Sequence, residues 1–144
     1  MNSRTLPHHF SLQLASAAQS LGQRLDSSLS AVRGISLAEY RLLTALAECP
    51  EARASRVDLA RAVGLTPSGV TRALRPMEKL GIVSTVKSKR DARLAIAGLT
   101  PAGRELLNDA AAVVDDTMQT LVTRSGLSRE EMKAVVNVLA KLTH

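Results

Sequence analysis

The chain has 144 residues, 45% of them hydrophobic and 1% aromatic, with one cysteine and a net charge of +6. This length suits one domain, residues 1–144, that buries roughly 70% of the unfolded surface, and an aliphatic composition favours packed helices. The longest apolar run has five residues, which excludes a membrane-spanning helix. Because the amino terminus lacks an apolar leader segment and a single cysteine forms no internal disulfide, we expect a cytoplasmic protein with no membrane partner.

Apolar residues at steps of three and four predict a long first helix from about Phe10 to Val32, ended by Gly34. A capping box of Ser36 and Glu39 starts the second helix. The third helix is short and runs from the cap at Ser55 to Gly64. Three residues around its end have helix-turn-helix spacing, because a small residue, a left-handed glycine and an apolar residue let two helices cross closely. They are Ala60, Gly64 and Val70.

The fourth helix, LTPSGVTRALRPMEKLG, begins with Thr66 as N-cap and Pro67 at the first helical position. One of its faces is apolar and the other is basic and hydroxylic, which suits a helix in a DNA major groove. The residues assigned to that second face are Pro67, Ser68, Thr71, Arg72, Arg75 and Lys79. Pro76 falls on the outward face, where it either kinks the helix or marks its end near Arg75.

β-branched residues at 82–87, a polar tip and a second apolar run at 93–99 predict a two-stranded hairpin with a charged tip. Such a wing reaches an adjacent minor groove. Its basic residues are Lys87, Lys89, Arg90 and Arg93. Asp91 either orients a neighbouring arginine or is an ordinary exposed turn residue. Residues 66–93 hold seven basic and two acidic side chains, and this clustering favours a polyanion-binding face over an ordinary solvated surface.

Two more helices follow, capped at Thr100 with Pro101 and at Ser128. In the last helix we expect an inward apolar face made of Met132, Val135, Val136, Leu139 and Leu142. The apolar stripes on the terminal helices, residues 6–33 and 100–144, exceed what a small winged region at 36–99 can cover. Uncovered, they would form an exposed apolar patch, so the sequence predicts a homodimer.

The wing pattern D-x-R followed by L-T-x-x-G, here Asp91, Arg93, Leu99, Thr100 and Gly103, and the LTPSGVTRALRPMEKLGIV stretch resemble the MarR/SlyA family of bacterial winged helix-turn-helix regulators. One departure is the Ala-Gly pair at 97–98, where the family has a β-branched residue first, so we expect a weaker second strand. The resemblance implies a mainly helical winged fold with long terminal dimerisation helices and base contacts from residues 68–75. It also implies a minor-groove contact from Arg93, oriented by Asp91.

The function implied is a sequence-specific, double-stranded-DNA-binding transcriptional regulator, often a repressor. It would bind a pseudo-palindromic operator as a homodimer and often be released by a small-molecule effector, whose binding residues are unknown. The alternative is a winged-helix interaction module whose basic face binds an acidic partner protein. The two alternatives differ in DNA binding: a regulator prefers certain base sequences beyond the general electrostatic attraction, whereas an interaction module binds DNA weakly and without preference.

Other candidate sites have weaker support. Cys49 is a candidate oxidant sensor. Its position argues against that role, because the C-terminal end of a helix and two neighbouring glutamates both disfavour the thiolate. Tyr40 lines an effector pocket or belongs to the core. We do not expect the histidines at 8, 9 and 144 to form a metal site, because all three are terminal and adjacent residues do not easily share one tetrahedral site. We find no nucleotide-binding loop and no nucleophile motif, and we predict neither a cofactor nor an enzyme activity.

Overall fold

The computed structural model describes residues 4–87, 90 and 95–143. The elements in chain order are α1 (Leu6–Arg33), α2 (Leu37–Glu48), β1 (Arg53–Ser55), α3 (Arg56–Val63), α4 (Pro67–Lys79), β2 (Val83–Lys87), β3 (Ala95–Leu99), α5 (Pro101–Ser125) and α6 (Arg129–Leu142). The predicted fold class, a helical protein with a small β wing, is confirmed. Among the described residues, no helix combines the length and apolarity needed to cross a membrane.

Local capping sets the helix boundaries, as the sequence predicts. The Ser36 hydroxyl accepts from the N–H of Glu39 at 3.0 Å, and the Glu39 carboxylate accepts from the N–H of Ser36 at 2.9 Å. The same reciprocal pair joins Ser128 and Glu131 at the start of α6. There the N–H of Ser128, and then its hydroxyl, lower the pKa of Glu131. These caps satisfy amide groups that a helix start otherwise leaves without partners.

The described residues form a sheet of three strands in the order β1-β3-β2, all antiparallel. The predicted two-stranded hairpin is confirmed as β2 and β3, and a third strand, β1, was not predicted. The missed strand, β1, is three residues long, too short for an alternating pattern to be recognised. It follows two residues with left-handed backbone, Glu51 (φ 58°) and Ala52 (φ 53°), which redirect the chain after α2. β1 pairs with the side of β3 that β2 leaves open.

The small residues of β3 fit its central position. Ala97 is fully buried and faces Ala54 of β1 and Thr85 of β2. A Cβ atom at Gly98 would lie 3.4 Å from the Ser84 hydroxyl and 3.5 Å from the Arg53 side chain. We expected a weaker strand from this Ala-Gly pair, but the structure pairs the strand on both of its edges.

The hydrophobic core lies between the helix-turn-helix, the sheet and the first half of α5. Its most deeply buried large side chains are Leu29, Leu42, Leu43, Leu46, Leu59, Val70, Leu74, Met77 and Val83. Tyr40 packs half-buried against this core, and so does Cys49, whose thiol donates to the Ala45 carbonyl at 3.3 Å. Most of the core belongs to the middle of the chain.

The start of α5 is fastened to the turn that follows α4. The Thr100 hydroxyl donates to the carbonyl of Gly81 at 2.6 Å, with the Ile82 carbonyl at 2.9 Å, and accepts from the N–H of Gly103. A Cβ atom on Gly103 would lie 2.1 Å from the Ile82 carbonyl oxygen, which no real Cβ atom does. Only glycine therefore lets α5 pack this closely against the exit of α4.

The last helix differs from its prediction. Four of the five apolar residues expected to face inward are exposed in the single chain, among them Val136 at 63% and Leu142 at 53%, and Met132 is half-buried. None of the residues of α6, all of which the structure describes, is buried. The helical spacing was predicted correctly, but the described part of the chain leaves most of this face uncovered.

Candidate nucleic-acid interface

Helix α4 is fixed in orientation by its cap and its buried face. The Thr66 hydroxyl accepts from the N–H of Gly69 at 3.0 Å, and Pro67 occupies the first helical position without losing a hydrogen bond. Val70, Leu74 and Met77, at steps of four and three, are almost completely buried. With this face held in the core, the opposite face must lie on the protein surface.

The outward face of α4 carries the predicted base-reading residues. Ser68, Arg72, Arg75 and Lys79 are exposed, as is Pro67. Thr71 is half-buried, and its hydroxyl donates to the Pro67 carbonyl at 3.1 Å. The hydroxyl proton of Thr71 is thereby engaged, so this side chain offers a partner only its oxygen lone pairs and its methyl group.

The helix continues through Pro76 to Lys79, so the alternative that it ends near Arg75 is wrong. The proline ring lies on the exposed face, as predicted, where it does not disturb the core. Helical backbone beyond the proline keeps Lys79 in register with Arg72 and Arg75, which extends the basic face by one turn.

Helix α3 supports α4 from behind. Ala60 is buried where the two helices cross, and Gly64 ends α3 in the left-handed conformation with φ of 72°. The N–H of Leu65 then bonds the Ala60 carbonyl at 2.9 Å. Together with buried Val70, these residues produce the close helix-turn-helix crossing that orients α4.

The described part of the wing places Lys87 at the exposed end of β2 and Arg90 on the surface beyond it. Lys89, Asp91 and Arg93, the other predicted wing residues, lie outside the described residues. Their roles in DNA contact stay predictions from the sequence.

Behind this basic face lies an acidic contact that was not predicted from the sequence. Glu78, on the last turn of α4, pairs with Arg56 of α3 and accepts a hydrogen bond from Thr85 of β2. One signal could have suggested it, because an isolated acid within a DNA-facing basic segment needs a cation to offset its repulsion of phosphate. Among the described residues, no three His, Cys, Asp or Glu side chains come together in a way that could hold a metal ion.

A capped, outward-facing basic helix, held by a shorter helix and followed by a small antiparallel wing, defines the class of winged helix-turn-helix transcriptional regulators. Residues 33–94 match the model of the MarR family. This match covers the helix-turn-helix and β2, and the proteins of that family are DNA-binding transcriptional regulators rather than enzymes.

Individual proteins are similar to this chain over most of its length. The chain is 29% identical to the uncharacterized HTH-type transcriptional regulator YdgJ of Bacillus subtilis (strain 168) over 124 residues, 86% of this chain and 73% of that protein. Sco3205, a MarR family regulator from Streptomyces coelicolor solved in complex with DNA, is 27% identical, with a TM-score of 0.85 over 99% of this chain and 89% of that one. Bordetella bronchiseptica BpsR, whose DNA binding is regulated by 6-hydroxynicotinic acid, shares the fold at 21% identity, with a TM-score of 0.74 over 92% of this chain and 99% of that one.

Proposed function

We propose that this regulator binds a pseudo-palindromic operator as a homodimer, represses transcription in the cytoplasm and is released by a small-molecule effector. The observation that carries the proposal is the outward face of α4. Arg72, Arg75 and Lys79 lie along one exposed stripe of a helix whose other side is buried in the core. This arrangement supports insertion of α4 into a major groove, as does the DNA complex of the relative Sco3205.

The side chains of α4 and the wing would make different kinds of contact with DNA. Arg72 and Arg75 have the donor fork that bonds O6 and N7 of guanine together. Ser68 suits a base edge or a phosphate, and Thr71 suits a thymine methyl group through its own methyl, because its hydroxyl proton is engaged. Lys79, Lys87, Lys89 and Arg90 would contact phosphates, while Arg93, oriented by Asp91, would enter the minor groove.

The homodimer is supported by apolar surface on the terminal helices. Exposed apolar side chains at both ends of the chain include Leu6, Phe10, Val135, Val136, Leu139 and Leu142. A second copy of the chain would cover this face through a two-fold interface. Two α4 helices would then lie roughly 34 Å apart, one helical turn of DNA, which is the geometry that a pseudo-palindromic operator requires.

The effector is proposed from the family resemblance and from the regulation of BpsR by a small molecule. Repression follows if the operator overlaps a promoter, because a bound dimer then blocks access to it. The chemical identity of the effector is left open.

Fluorescence anisotropy tests the proposal on the intergenic DNA upstream of the chain's own gene, with scrambled duplex as competitor at about 0.15 M salt. Binding at least roughly a thousandfold tighter than to scrambled DNA is the expected result. Equal, weak binding to both duplexes, across a library of genomic fragments as well, would contradict it. That outcome would favour an acidic protein as the partner of the basic face.

A further inference from the structure

Three secondary-structure elements meet at one carboxylate oxygen behind the DNA-facing surface. Nη2 of Arg56, the first residue of α3, donates to Oε1 of Glu78 at 3.1 Å. The hydroxyl of Thr85 on β2 donates to the same oxygen, and Nη2 of Arg56 lies 3.5 Å from that hydroxyl. We name Arg56, Glu78 and Thr85 the junction cluster.

The ion pair of the junction cluster is more buried than an ordinary surface ion pair, whereas Thr85 is exposed. The side chain of Arg56 is 18% exposed and that of Glu78 is 31% exposed. Nη1 of Arg56 is buried, and no hydrogen-bond partner for it is found in the described part of the chain. The guanidinium therefore depends on Glu78 for compensation, since removing one member of a partly buried pair leaves the other charge poorly solvated.

The position of each member connects the two DNA-contacting parts. Glu78 lies three residues after Arg75 on α4, so its carboxylate moves with the base-reading helix. Thr85 precedes Lys87 by two residues on β2, and residues two apart in a strand lie on the same face of the sheet. One carboxylate oxygen thus joins the recognition helix to the strand that leads into the wing.

An apolar contact at this point would hold the same elements together, but it would not fix their relative position as tightly. Hydrogen bonds to a charged acceptor are short and directional, whereas apolar packing tolerates sliding. Pairing with Arg56 also offsets the negative charge of Glu78, which would otherwise repel a nearby phosphate.

We propose that Glu78, held by Arg56 and Thr85, is a positioning residue that sets the wing at a fixed distance from α4 and so determines preference at the outer operator positions. This inference rests on the proposed function as a sequence-specific DNA-binding dimer. Bases under α4 would be read by α4 itself, and the junction cluster would affect only the positions that the wing reaches.

The test is selection of duplexes from a random library by the wild-type protein, Thr85→Val and Thr85→Ser, each at the same salt concentration. Thr85→Val keeps the branched strand residue and removes the hydroxyl, whereas Thr85→Ser retains it. We expect Thr85→Val to keep the central base preferences and lose roughly tenfold discrimination at the outer positions. Thr85→Ser should select the wild-type sequence.

Three outcomes would overturn the inference. Thr85→Val could select the complete wild-type sequence with unchanged affinity, or it could lose central and outer preferences together. If the wild-type protein selects no sequence at all, the proposed function fails as well, and this result is distinct from the other two.

Glu78→Gln provides a second, independent variant, with circular dichroism melting to establish that each variant folds. It keeps the shape of the side chain and removes the charge that holds Arg56. We expect the same loss at the outer positions, and wild-type selection by a folded Glu78→Gln would contradict the role given to this carboxylate.

Discussion

In the middle of the chain, side chains such as Leu46, Leu59 and Leu74 are completely buried, whereas α6 at its end has Val136 63% exposed. Both regions have helices with regular apolar spacing. The difference is that the helix-turn-helix buries its apolar face against other parts of the same chain, whereas α6 has no buried residue. Regular apolar spacing therefore identifies the face of a helix that is suited to burial, but it does not show against what that face packs.

Leu46→Ala tests the self-contained middle and should have the largest effect. A fully buried leucine leaves a cavity when truncated, so we expect a loss of about 3 kcal/mol in the free energy of unfolding. Urea denaturation at two protein concentrations tenfold apart measures it. The loss should be the same at both concentrations, and a loss below about 1 kcal/mol would show that this core is not self-contained.

Gly103→Ala tests the contact between the winged middle and α5. The added Cβ atom would lie 2.1 Å from the Ile82 carbonyl oxygen, so the backbone must move, and we expect a loss of about 2 to 3 kcal/mol. Gly22→Ala in α1 is the matched control. Its Cβ would meet only Leu37 at an ordinary 3.9 Å, and alanine favours the helix by up to about 1 kcal/mol. Equal thermal unfolding of the two variants would contradict the close approach.

Arg72→Ala tests the basic face of α4. We expect about 2 kcal/mol of lost affinity for the operator and weaker sequence preference, because a bidentate contact to one base would be removed. Arg24→Ala, which removes the same charge from the exposed surface of α1, is the control. Anisotropy titrations on operator and scrambled DNA measure both variants. Equal losses on both duplexes for Arg72→Ala would remove this residue from the base-reading set.

Val136→Asp tests the terminal helices. In a single chain the position is exposed, so folding should change by less than about 0.5 kcal/mol. If a second copy covers α6, a buried unpaired charge should weaken the dimer at least roughly tenfold. Sedimentation velocity over a concentration series measures this, with Ala62→Asp at an exposed position of α3 as a control for added charge. Identical sedimentation of wild type and Val136→Asp at all concentrations would reject α6 as the interface.

Glu51→Gly should have the smallest effect and concerns the turn into β1. Glu51 has a left-handed backbone with φ of 58°, which glycine adopts without a steric penalty, so we expect a gain of about 0.5 kcal/mol in stability. Glu48→Gly, in regular helical backbone on α2, should instead lose roughly 0.5 kcal/mol. A loss in both variants, measured by thermal melting, would contradict the strained turn.

The local features of the fold could be predicted because neighbouring residues produce them. Ser36 and Glu39 form their reciprocal cap from atoms three residues apart, and Gly64 ends α3 through its own backbone freedom. The amphipathic face of α4 follows from helical periodicity alone. For the same reason, the exposed positions of Arg72, Arg75 and Lys79 could be inferred without a structure.

Contacts between distant parts of the chain could not be predicted in this way. β1 forms because β3 offers an open edge, and three residues hold no periodic signal of it. The bond from Arg56 to Glu78 spans 22 positions, and Thr85 comes to the same carboxylate from a different element. Such groupings depend on the packing of whole elements rather than on sequence spacing.

The sequence by itself thus determined the helices, their caps, the basic face and the resemblance to the MarR family, because each of these depends on residues near one another in the chain. Tertiary structure alone decided the third strand, the close approach of Gly103 to the Ile82 carbonyl and the junction cluster. It also decided that α6, all of which is described, has no buried residue. These features require knowing which elements meet, and that is settled only when the whole chain packs around one core.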